Sequence, residues 1–411
     1  MKKLILTLSV LSLATQAYAG GYRVSIQGQK ALGMGHAGVA MSNSAESVFF
    51  NPGAITQLDG VHIVGGVTGI DSENTYDNSD TNQSAKTDNP LGTPVNLYFT
   101  AELDQDWTYG FGIYTPFGST VEWEDGWAGS YLVNSIELSS IFIQPTFAYE
   151  VNEHVGLGFG PIAAISAVEL NRNLAAVGPL AGVEVTVEDS GIVDYGFSLG
   201  AFFKVNEKLD VGVQYRSEIE VKSEGDTEYD NVPAGFGAFI SDGGYEAEIP
   251  LPAELTLGIA YQLSDKLLLA ADYNYTFWDA YEELTFEFDS LSGPIPSTSV
   301  NLRDYKNTST YRVGLEYAQT SKLTLRGGMY FDETPIRDGY FAPETPRTDS
   351  LGFTAGATYA VNDKLSLDVA ALYLHFDEED NSYDFATNGP VFEGTYNVDV
   401  WALGVGLSYK L

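Results

Sequence analysis

Residues 401–411 read WALGVGLSYKL, and their side chains alternate between apolar and small or polar. Successive side chains of a β-strand point to opposite faces, so one face of this segment would be aromatic or aliphatic throughout. Strands of a transmembrane barrel carry such an apolar face toward lipid. Trp401 and Tyr409 would lie roughly 20 Å apart along the membrane normal, at ~3.3 Å per residue and a tilt of ~40°, which suits two aromatic girdles. The segment therefore predicts one strand of an outer-membrane β-barrel.

The same alternation recurs upstream, at residues 107–113, 311–317 and 351–359. Short polar turns separate pairs of such strands: Asp104-Gln105-Asp106, Asn152-Glu153-His154, Asn206-Glu207-Lys208, Ser264-Asp265-Lys266, residues 319–322 and Asn362-Asp363-Lys364. Long polar or Gly/Pro-rich segments alternate with these turns, at about residues 71–92, 119–135, 170–190, 223–247, 289–308, 334–349 and 379–395. Six turns and seven loops predict fourteen strands. An even count with all short turns at one end is typical of bacterial outer-membrane proteins, so we predict an all-β fold, a 14-stranded antiparallel transmembrane β-barrel over residues 61–411.

The N-terminus and the composition narrow the choice of protein class. Residues 1–19 are predicted to be a signal peptide, with a basic start, an apolar run and the small-x-small site Ala17-Tyr18-Ala19. The chain has no cysteine, which excludes a disulfide framework. Its net charge of −36 would repel the phosphates of nucleic acid, so no nucleic-acid partner is expected.

Residues 20–60 have many Gly, Ala and Ser residues and no sustained period of two or 3.6. A barrel of fourteen strands is too wide for its own side chains to fill. We therefore predict that this segment, which we call the hatch, lies inside the barrel. Charged residues on the inward faces are expected to form a network that braces the wall, or else a lining that steers a charged group: Arg216, Glu254, Arg312, Glu316, Arg326 and Asp332.

Several motifs, taken in order, resemble those of the FadL-type outer-membrane transporters of long-chain fatty acids and other hydrophobic molecules. The run LGMGHAG at 32–38 and the hatch turn Asn51-Pro52-Gly53 resemble the small-residue run and the Asn-Pro-Ala turn of that family. The resemblance continues through YRSE at 215–218, LPAE at 251–254, YRV at 311–313, LRGG at 325–328 and FDETP at 331–335. It covers the whole mature chain, with Gly53 in place of the family's Ala.

The resemblance implies passive uptake of hydrophobic molecules, above all long-chain fatty acids. A ligand would be captured among outer loops, would pass to an apolar pocket beside the hatch, and would leave sideways where the third strand kinks inward. Uptake of monoaromatic hydrocarbons by the same route is an alternative, and a polar-solute porin and a surface adhesin or phage receptor are competing functions. The resemblance also implies contact with outer-membrane lipid and lipopolysaccharide, insertion by the barrel assembly machinery, and a monomer.

Candidate residues can be assigned to each step of this route. The kink and lateral opening are expected at Pro116-Phe117-Gly118, because Pro116 has no N–H for a ladder and Gly118 permits a bend, although a plain strand end is the alternative. The hatch turn would either gate the hatch or simply close the insert. Capture would use apolar loop residues, unless they only pack together as a lid: Leu174, Val177, Leu180, Phe236, Phe239 and Ile240. The inner pocket would use Leu372, Leu374 and Phe376, and a ligand carboxylate would use Arg172, Arg303 or Lys306.

Catalytic and metal chemistry find no support in the motifs. The histidines His36, His62, His154 and His375 are dispersed without metal-ligand spacing. No nucleophile elbow or phosphate-binding loop occurs in a suitable context. We therefore expect no cofactor, no metal and no enzymatic activity.

Overall fold

The computed structural model describes residues 21–386 and 389–411, so the predicted signal peptide and Gly20 lie outside the described residues. None of the helices in this part of the chain has the length and hydropathy needed to cross a membrane. Fourteen antiparallel strands form a closed barrel. The barrel strands are β1 (Val61–Asn78), β2 (Val95–Glu102), β3 (Trp107–Glu122), β4 (Ser135–Asn152), β5 (Val155–Asn173), β6 (Glu184–Asn206), β7 (Leu209–Arg216), β8 (Glu254–Ser264), β9 (Leu267–Thr276), β10 (Thr308–Ala318), β11 (Leu323–Asp332), β12 (Ser350–Ala360), β13 (Leu365–Phe376) and β14 (Phe392–Lys410).

The ring closes at β1, which pairs with β2 on one edge and with β14 on the other. His62 pairs with Lys410 and the register continues to Asp77 opposite Thr395. On the other edge, Val61 to Val67 pair with Ala101 to Val95. Closure pairs the first and last strands with each other, so neither end of the sheet is left as a free edge in lipid. The predicted 14-stranded antiparallel barrel is confirmed.

Each predicted short turn joins two consecutive barrel strands, and the long connections lie at the opposite end. The predicted bounds of the longer loops were too narrow. The β7–β8 connection runs over residues 217–253 and the β9–β10 connection over residues 277–307, and both contain strands that the sequence interpretation missed. Strands outside the barrel are Gln83–Lys86, Ile219–Asp230, Gly243–Leu251, Glu283–Phe288, Thr298–Leu302 and Glu379–Tyr383.

The outer surface of the wall is apolar as predicted. Trp401 is 60% exposed and Leu403 is 65% exposed, whereas Ala402, which lies between them, is only 5% exposed. Apolar residues are also exposed at alternate positions of β8 and β10. Apolar exposure at every second residue is favourable in lipid and would be costly in water.

The hatch folds into short helical pieces and is almost entirely buried. Its elements are α1 (Gln29–Leu32), α2 (Ser47–Phe50) and a 3₁₀ helix (Pro52–Gln57). It contacts inward-facing glycines all round the ring, including Gly66 of β1, Gly110 of β3, Gly200 of β6, Gly314 of β10 and Gly404 of β14. Because contacts on so many sides are possible only from within, residues 21–60 occupy the lumen.

Candidate ligand route through the barrel

The third strand has irregular pairing around Pro116. Tyr114 pairs with Phe142 of β4, but the next pair is Phe117 with Ser140, so β3 carries one extra residue in a bulge around Pro116. On the other edge, pairing with β2 ends at Ile113. Buried and more exposed side chains alternate up to this point, and then every residue from Tyr114 to Val121 is buried. This stretch is covered on both faces although Phe117 to Glu122 still pair with β4, so β3 loses only its edge toward β2 here.

The N-terminal end of the hatch occupies the edge that β3 loses. The N–H of Val24 donates to the carbonyl of Pro116 (2.8 Å), and the N–H of Gly118 donates to the carbonyl of Tyr22 (2.9 Å). These bonds place Arg23 opposite Phe117 as in an antiparallel ladder. The hatch therefore satisfies backbone groups that would otherwise be unpaired where the wall is interrupted.

The Asn51-Pro52-Gly53 turn is the start of the 3₁₀ helix and fastens the hatch to the wall. The Asn51 side chain accepts a hydrogen bond from the N–H of Gly53 (3.0 Å), and its amide donates to the carbonyls of Val39 (2.8 Å) and Ala201 (3.0 Å). A Cβ on Gly53 would lie 2.6 Å from the carbonyl oxygen of Gly156 on β5. The close approach to the wall explains why this chain has Gly at that position.

The charged residues of the lumen meet at Arg23, which the sequence interpretation missed. Its guanidinium contacts Glu254 (3.0 Å) and Asp332 (2.9 Å), and Arg216 approaches the second oxygen of Glu254 (2.6 Å). Arg312 is buried nearby. Arg23 lies in the aperiodic hatch, so no alternation could have assigned it to an inward face. The sequence signal that could have found it is that Arg23 is one of only two arginine or lysine residues in residues 20–60, a segment predicted to lie inside a lumen that carries carboxylates.

The other two predicted lumen residues form a separate pair. Arg326 contacts Glu316 at 2.7 Å and also donates to Thr358. Both residues lie toward the end of the barrel that carries the short turns, since β10 ends at Ala318 and β11 begins at Leu323. The six predicted charges are therefore all on the inner side of the wall, but they do not form one network.

Most of the predicted capture residues pack against a buried apolar cluster that extends from the hatch (Tyr22, Phe49) to the outer loops (Trp123, Phe392). We call the part of this cluster beneath the outer loops the outer compartment. Ile240 is buried, and four are partly buried against the cluster: Leu174, Leu180, Phe236 and Phe239. Val177 differs from them, since it is 76% exposed at the tip of its loop. The compartment is rich in aromatic rings, with Trp123 stacked on Trp127 at 4.3 Å.

The β11–β12 loop, residues 333–349, folds inward, which nothing in its polar sequence indicated. Residues 341–348 are all buried. The carbonyl of Pro343 accepts a hydrogen bond from the indole of Trp123 (3.1 Å), and Thr345 bonds the hydroxyl of Tyr305 (2.9 Å). The loop therefore closes the outer compartment from the lumen side of the wall.

The three candidate cations differ in their surroundings. Arg303 is buried, forms an ion pair with Glu344 of the inward-folded loop and donates to the hydroxyl of Tyr383 (3.1 Å). Burial alone would lower the pKa of Arg303, but the adjacent Glu344 more than offsets it, so the pKa is raised above its usual value. Arg172 is also buried and donates to Ser299 (3.0 Å). Lys306, in contrast, has an exposed side chain.

The predicted inner-pocket residues face the hatch. Leu372, Leu374 and Phe376 are at most 4% exposed and belong to the same buried cluster as Val24 and Ile26. A cavity of about 20 Å³ lies between the hatch and the wall, beside Pro116 and Phe49. That volume suits one water molecule, so the apolar surface beside the hatch is covered in this conformation.

Within residues 21–386 and 389–411, His, Asp and Glu side chains form no group that could hold a metal ion. The buried carboxylates of the lumen instead accept hydrogen bonds from arginines, backbone N–H groups or hydroxyls. Asp272, for example, accepts hydrogen bonds from the N–H groups of Gly38 (2.7 Å) and Val39 (3.1 Å) of the hatch.

Known proteins share this architecture. A family described as outer membrane protein transport protein (OMPP1/FadL/TodX) matches residues 10–411. A long-chain fatty acid transport protein of Escherichia coli is 24% identical over 99% of this chain and 98% of its own length. The crystal structure of a Pseudomonas aeruginosa FadL homologue has a TM-score of 0.84 at 19% identity, covering 95% of this chain and 100% of its own. A Ralstonia pickettii toluene transporter has a TM-score of 0.70 at 18% identity, covering 98% and 100%.

The two structural neighbours share the fold, and the family match extends over nearly the whole chain. Together with the closed barrel they place the protein in the bacterial outer membrane, as predicted. The chain therefore belongs to the FadL/TodX family of outer-membrane transport proteins.

Proposed function

We propose that the protein is a passive channel for long-chain fatty acids. A fatty acid is captured at the outer compartment, passes to the apolar surface formed by Leu372, Leu374 and Phe376 beside the hatch, and leaves sideways at the β3 break. The observation that carries this proposal is the edge that β3 loses after Ile113: the strand bulges around Pro116, and the N-terminal end of the hatch covers that edge at Pro116 to Gly118.

The small cavities imply that transport requires movement. Binding pockets for small molecules enclose roughly 300–1,000 Å³, far more than the 20 Å³ beside Pro116. The hatch covers both the predicted inner pocket and the β3 break. The ligand therefore passes only when the hatch shifts away from β3 and β13, with Asn51-Pro52-Gly53 as the anchor about which it moves.

Two observations bear on the class of ligand. The Escherichia coli relative is named for long-chain fatty acids and the Ralstonia neighbour for toluene, so similarity alone allows both. The buried Arg172 and Arg303 beside the apolar outer compartment support a ligand with a carboxylate. The stacked Trp123 and Trp127 support the second candidate, a monoaromatic hydrocarbon, because aromatic rings pack well on one another. Because the hatch fills the lumen, a channel for fatty acids or for monoaromatic hydrocarbons is favoured over an open porin for polar solutes.

Uptake of labelled oleate tests the function and the exit route together. Cells lacking the protein should lose uptake, and cells carrying Gly118→Arg should resemble them, because a long charged side chain at the break would obstruct it. Gly235→Arg is the matched control, since Gly235 has no atom within 4 Å of an added Cβ. Folding of each variant is checked by heat-modifiable migration in gels.

The outcomes separate the two parts of the proposal. Normal uptake of oleate and of toluene in the deletion strain would contradict hydrophobic transport altogether. Normal uptake by a correctly folded Gly118→Arg protein would leave the function standing but remove the lateral exit. Loss of toluene uptake alone would assign the channel to monoaromatic hydrocarbons.

A further inference from the structure

The inward-folded tip of the β11–β12 loop is held by specific contacts rather than by general packing. Phe341 lies against Tyr396 with ring centroids 4.7 Å apart, and Thr345 bonds Tyr305. The guanidinium of Arg347 lies over the ring of Phe376, one of the predicted inner-pocket residues, at 5.4 Å. The tip therefore connects the outer compartment with the apolar surface beside the hatch and occupies the path between them.

At the centre of this tip, Glu344 forms a buried ion pair with Arg303. The side chain of Glu344 is 9% exposed and that of Arg303 is 4% exposed. The guanidinium also lies over the rings of Tyr383 (5.5 Å) and Tyr281 (6.0 Å). Burial raises the pKa of Tyr281 to about 12, so its hydroxyl remains neutral. The Arg303 cation is thus surrounded by aromatic rings and by a single carboxylate, which belongs to the loop.

Charge is not balanced in this part of the molecule. Glu344 acts electrostatically on Arg172 as well as on Arg303. Among the described residues no carboxylate forms an ion pair with Arg172, whose guanidinium donates to the hydroxyl of Ser299. Two buried guanidinium groups thus share one carboxylate, in a chain whose net charge is −36. Because a buried charge is costly without a partner, this compartment favours a further anion.

We propose that Glu344 is an internal substitute for the carboxylate of the ligand. The inference rests on the proposed function. It adds a basis for selecting ligands that carry a carboxylate, and it identifies residues 341–348 as a gate. A fatty acid whose tail enters the outer compartment presents its carboxylate to Arg303 and Arg172 and displaces Glu344. The displaced carboxylate is hydrated outside, residues 341–348 withdraw with it, and the path toward Leu372, Leu374 and Phe376 opens.

Exchange of one carboxylate for another explains how such a gate opens without a large cost. Releasing Glu344 into water with no replacement would leave Arg303 buried and unpaired, which is strongly unfavourable. A ligand carboxylate takes over the same charge-assisted hydrogen bonds, so the charge of the compartment is unchanged by the exchange. A neutral molecule of the same length offers no such replacement. The gate therefore distinguishes acids from alcohols and hydrocarbons.

The experiment compares binding of oleate and of oleyl alcohol by the purified full-length protein in lipid nanodiscs. Glu344→Gln removes the competing carboxylate but keeps the shape of the side chain, so it should tighten oleate binding about tenfold and leave oleyl alcohol unchanged. Arg303→Gln should weaken oleate binding about tenfold. Asp338→Asn, on the same loop but exposed, is the matched control and should change neither.

A second measurement does not depend on altering the ion pair. Since the chain has no cysteine, Ala342→Cys places a unique thiol on the buried tip. Oleate should increase its rate of reaction with a charged thiol reagent, whereas oleyl alcohol should not. Equal effects of the two ligands on this rate would overturn the exchange, as would a folded Glu344→Gln protein with an unchanged or smaller preference for oleate. Wild-type protein that binds neither ligand would contradict the proposed function itself.

Discussion

At the scale of single residues, Arg23 links the hatch to several strands of the wall. It contacts β8 through Glu254, β9 through Asn274 and β11 through Asp332. All of these groups are buried, so the ion pairs stand in a medium where an unpartnered charge is expensive. One side chain thus connects the N-terminal segment to three strands, while the backbone on either side of it pairs with β3.

Replacing this side chain should destabilise the protein markedly. Arg23→Gln leaves Asp332 buried without its cation, and we expect a loss of roughly 3–5 kcal/mol in the free energy of unfolding. Urea unfolding followed by tryptophan fluorescence measures it. The matched control is Arg337→Gln, because the Arg337–Asp304 pair is 3.5 Å long and about half exposed and should contribute at most about 1 kcal/mol. Equal losses for the two variants would contradict the role assigned to Arg23.

At the scale of elements, the wall and the hatch fit because inward-facing strand positions are glycines where the hatch backbone approaches. Gly200 on β6 would place a Cβ 2.7 Å from the ring of Pro52, and Gly110 on β3 would place one 2.8 Å from Val48. On β11 the backbone of Gly35 lies against Gly328. Strand glycines ordinarily weaken a strand, so their use here indicates close approach of another backbone.

Adjacent glycines of β11 provide a test of this fit. Gly328 faces the hatch, whereas an added Cβ on Gly327 would have its nearest neighbour at 3.9 Å. Gly328→Val should displace the hatch from a barrel that still assembles, and Gly327→Val should not. Limited proteolysis of the hatch and single-channel conductance report the displacement. If both variants kept the conductance of the wild-type protein, the contact would not be what holds the hatch in place.

At the scale of the whole molecule, the barrel and the hatch have separate structural bases. The wall is closed by pairing of β1 with β2 and β14, none of which uses the hatch. The hatch, in contrast, depends on the wall, because its helical pieces are too short to be stable alone. The protein is therefore a barrel that closes through its own strands, apart from the edge of β3 that the hatch completes, around an insert that depends on the wall.

Removal of the hatch should accordingly leave a wide pore. A protein that keeps residues 1–20 but lacks residues 21–57 is expected to assemble and to conduct, because fourteen strands enclose more space than their side chains fill. Cells producing it should become sensitive to vancomycin. Removal of residues 234–238, which belong to an outer loop, is the control and should cause no such sensitivity. A hatchless barrel that assembles yet excludes the antibiotic would show that the outer loops alone close the lumen.

The sequence by itself determined the barrel, its strand number and the order of its turns. Alternation such as that of residues 401–411 reports a local property, the opposite facing of successive side chains, and it needs no knowledge of distant residues. Pro116 also marks, in the sequence itself, a position where a ladder bond is lost, because proline lacks the N–H that pairing requires. The same alternation predicted an inward direction for six charged residues.

Tertiary structure alone decided which of these residues meet. Arg23 lies in a segment without a period, and its carboxylates are more than two hundred positions away along the chain. Glu344 stands in a polar, proline-containing stretch typical of a solvated loop, yet it is buried against Arg303. The strands of the outer loops were not predicted for the same reason. Their polar faces resemble loop sequence, and their apolar faces are recognisable only when the residues that they pack against are known. The alternation along a strand determines whether a side chain points inward or outward. Which distant groups form a pair depends on how the closed barrel brings them together.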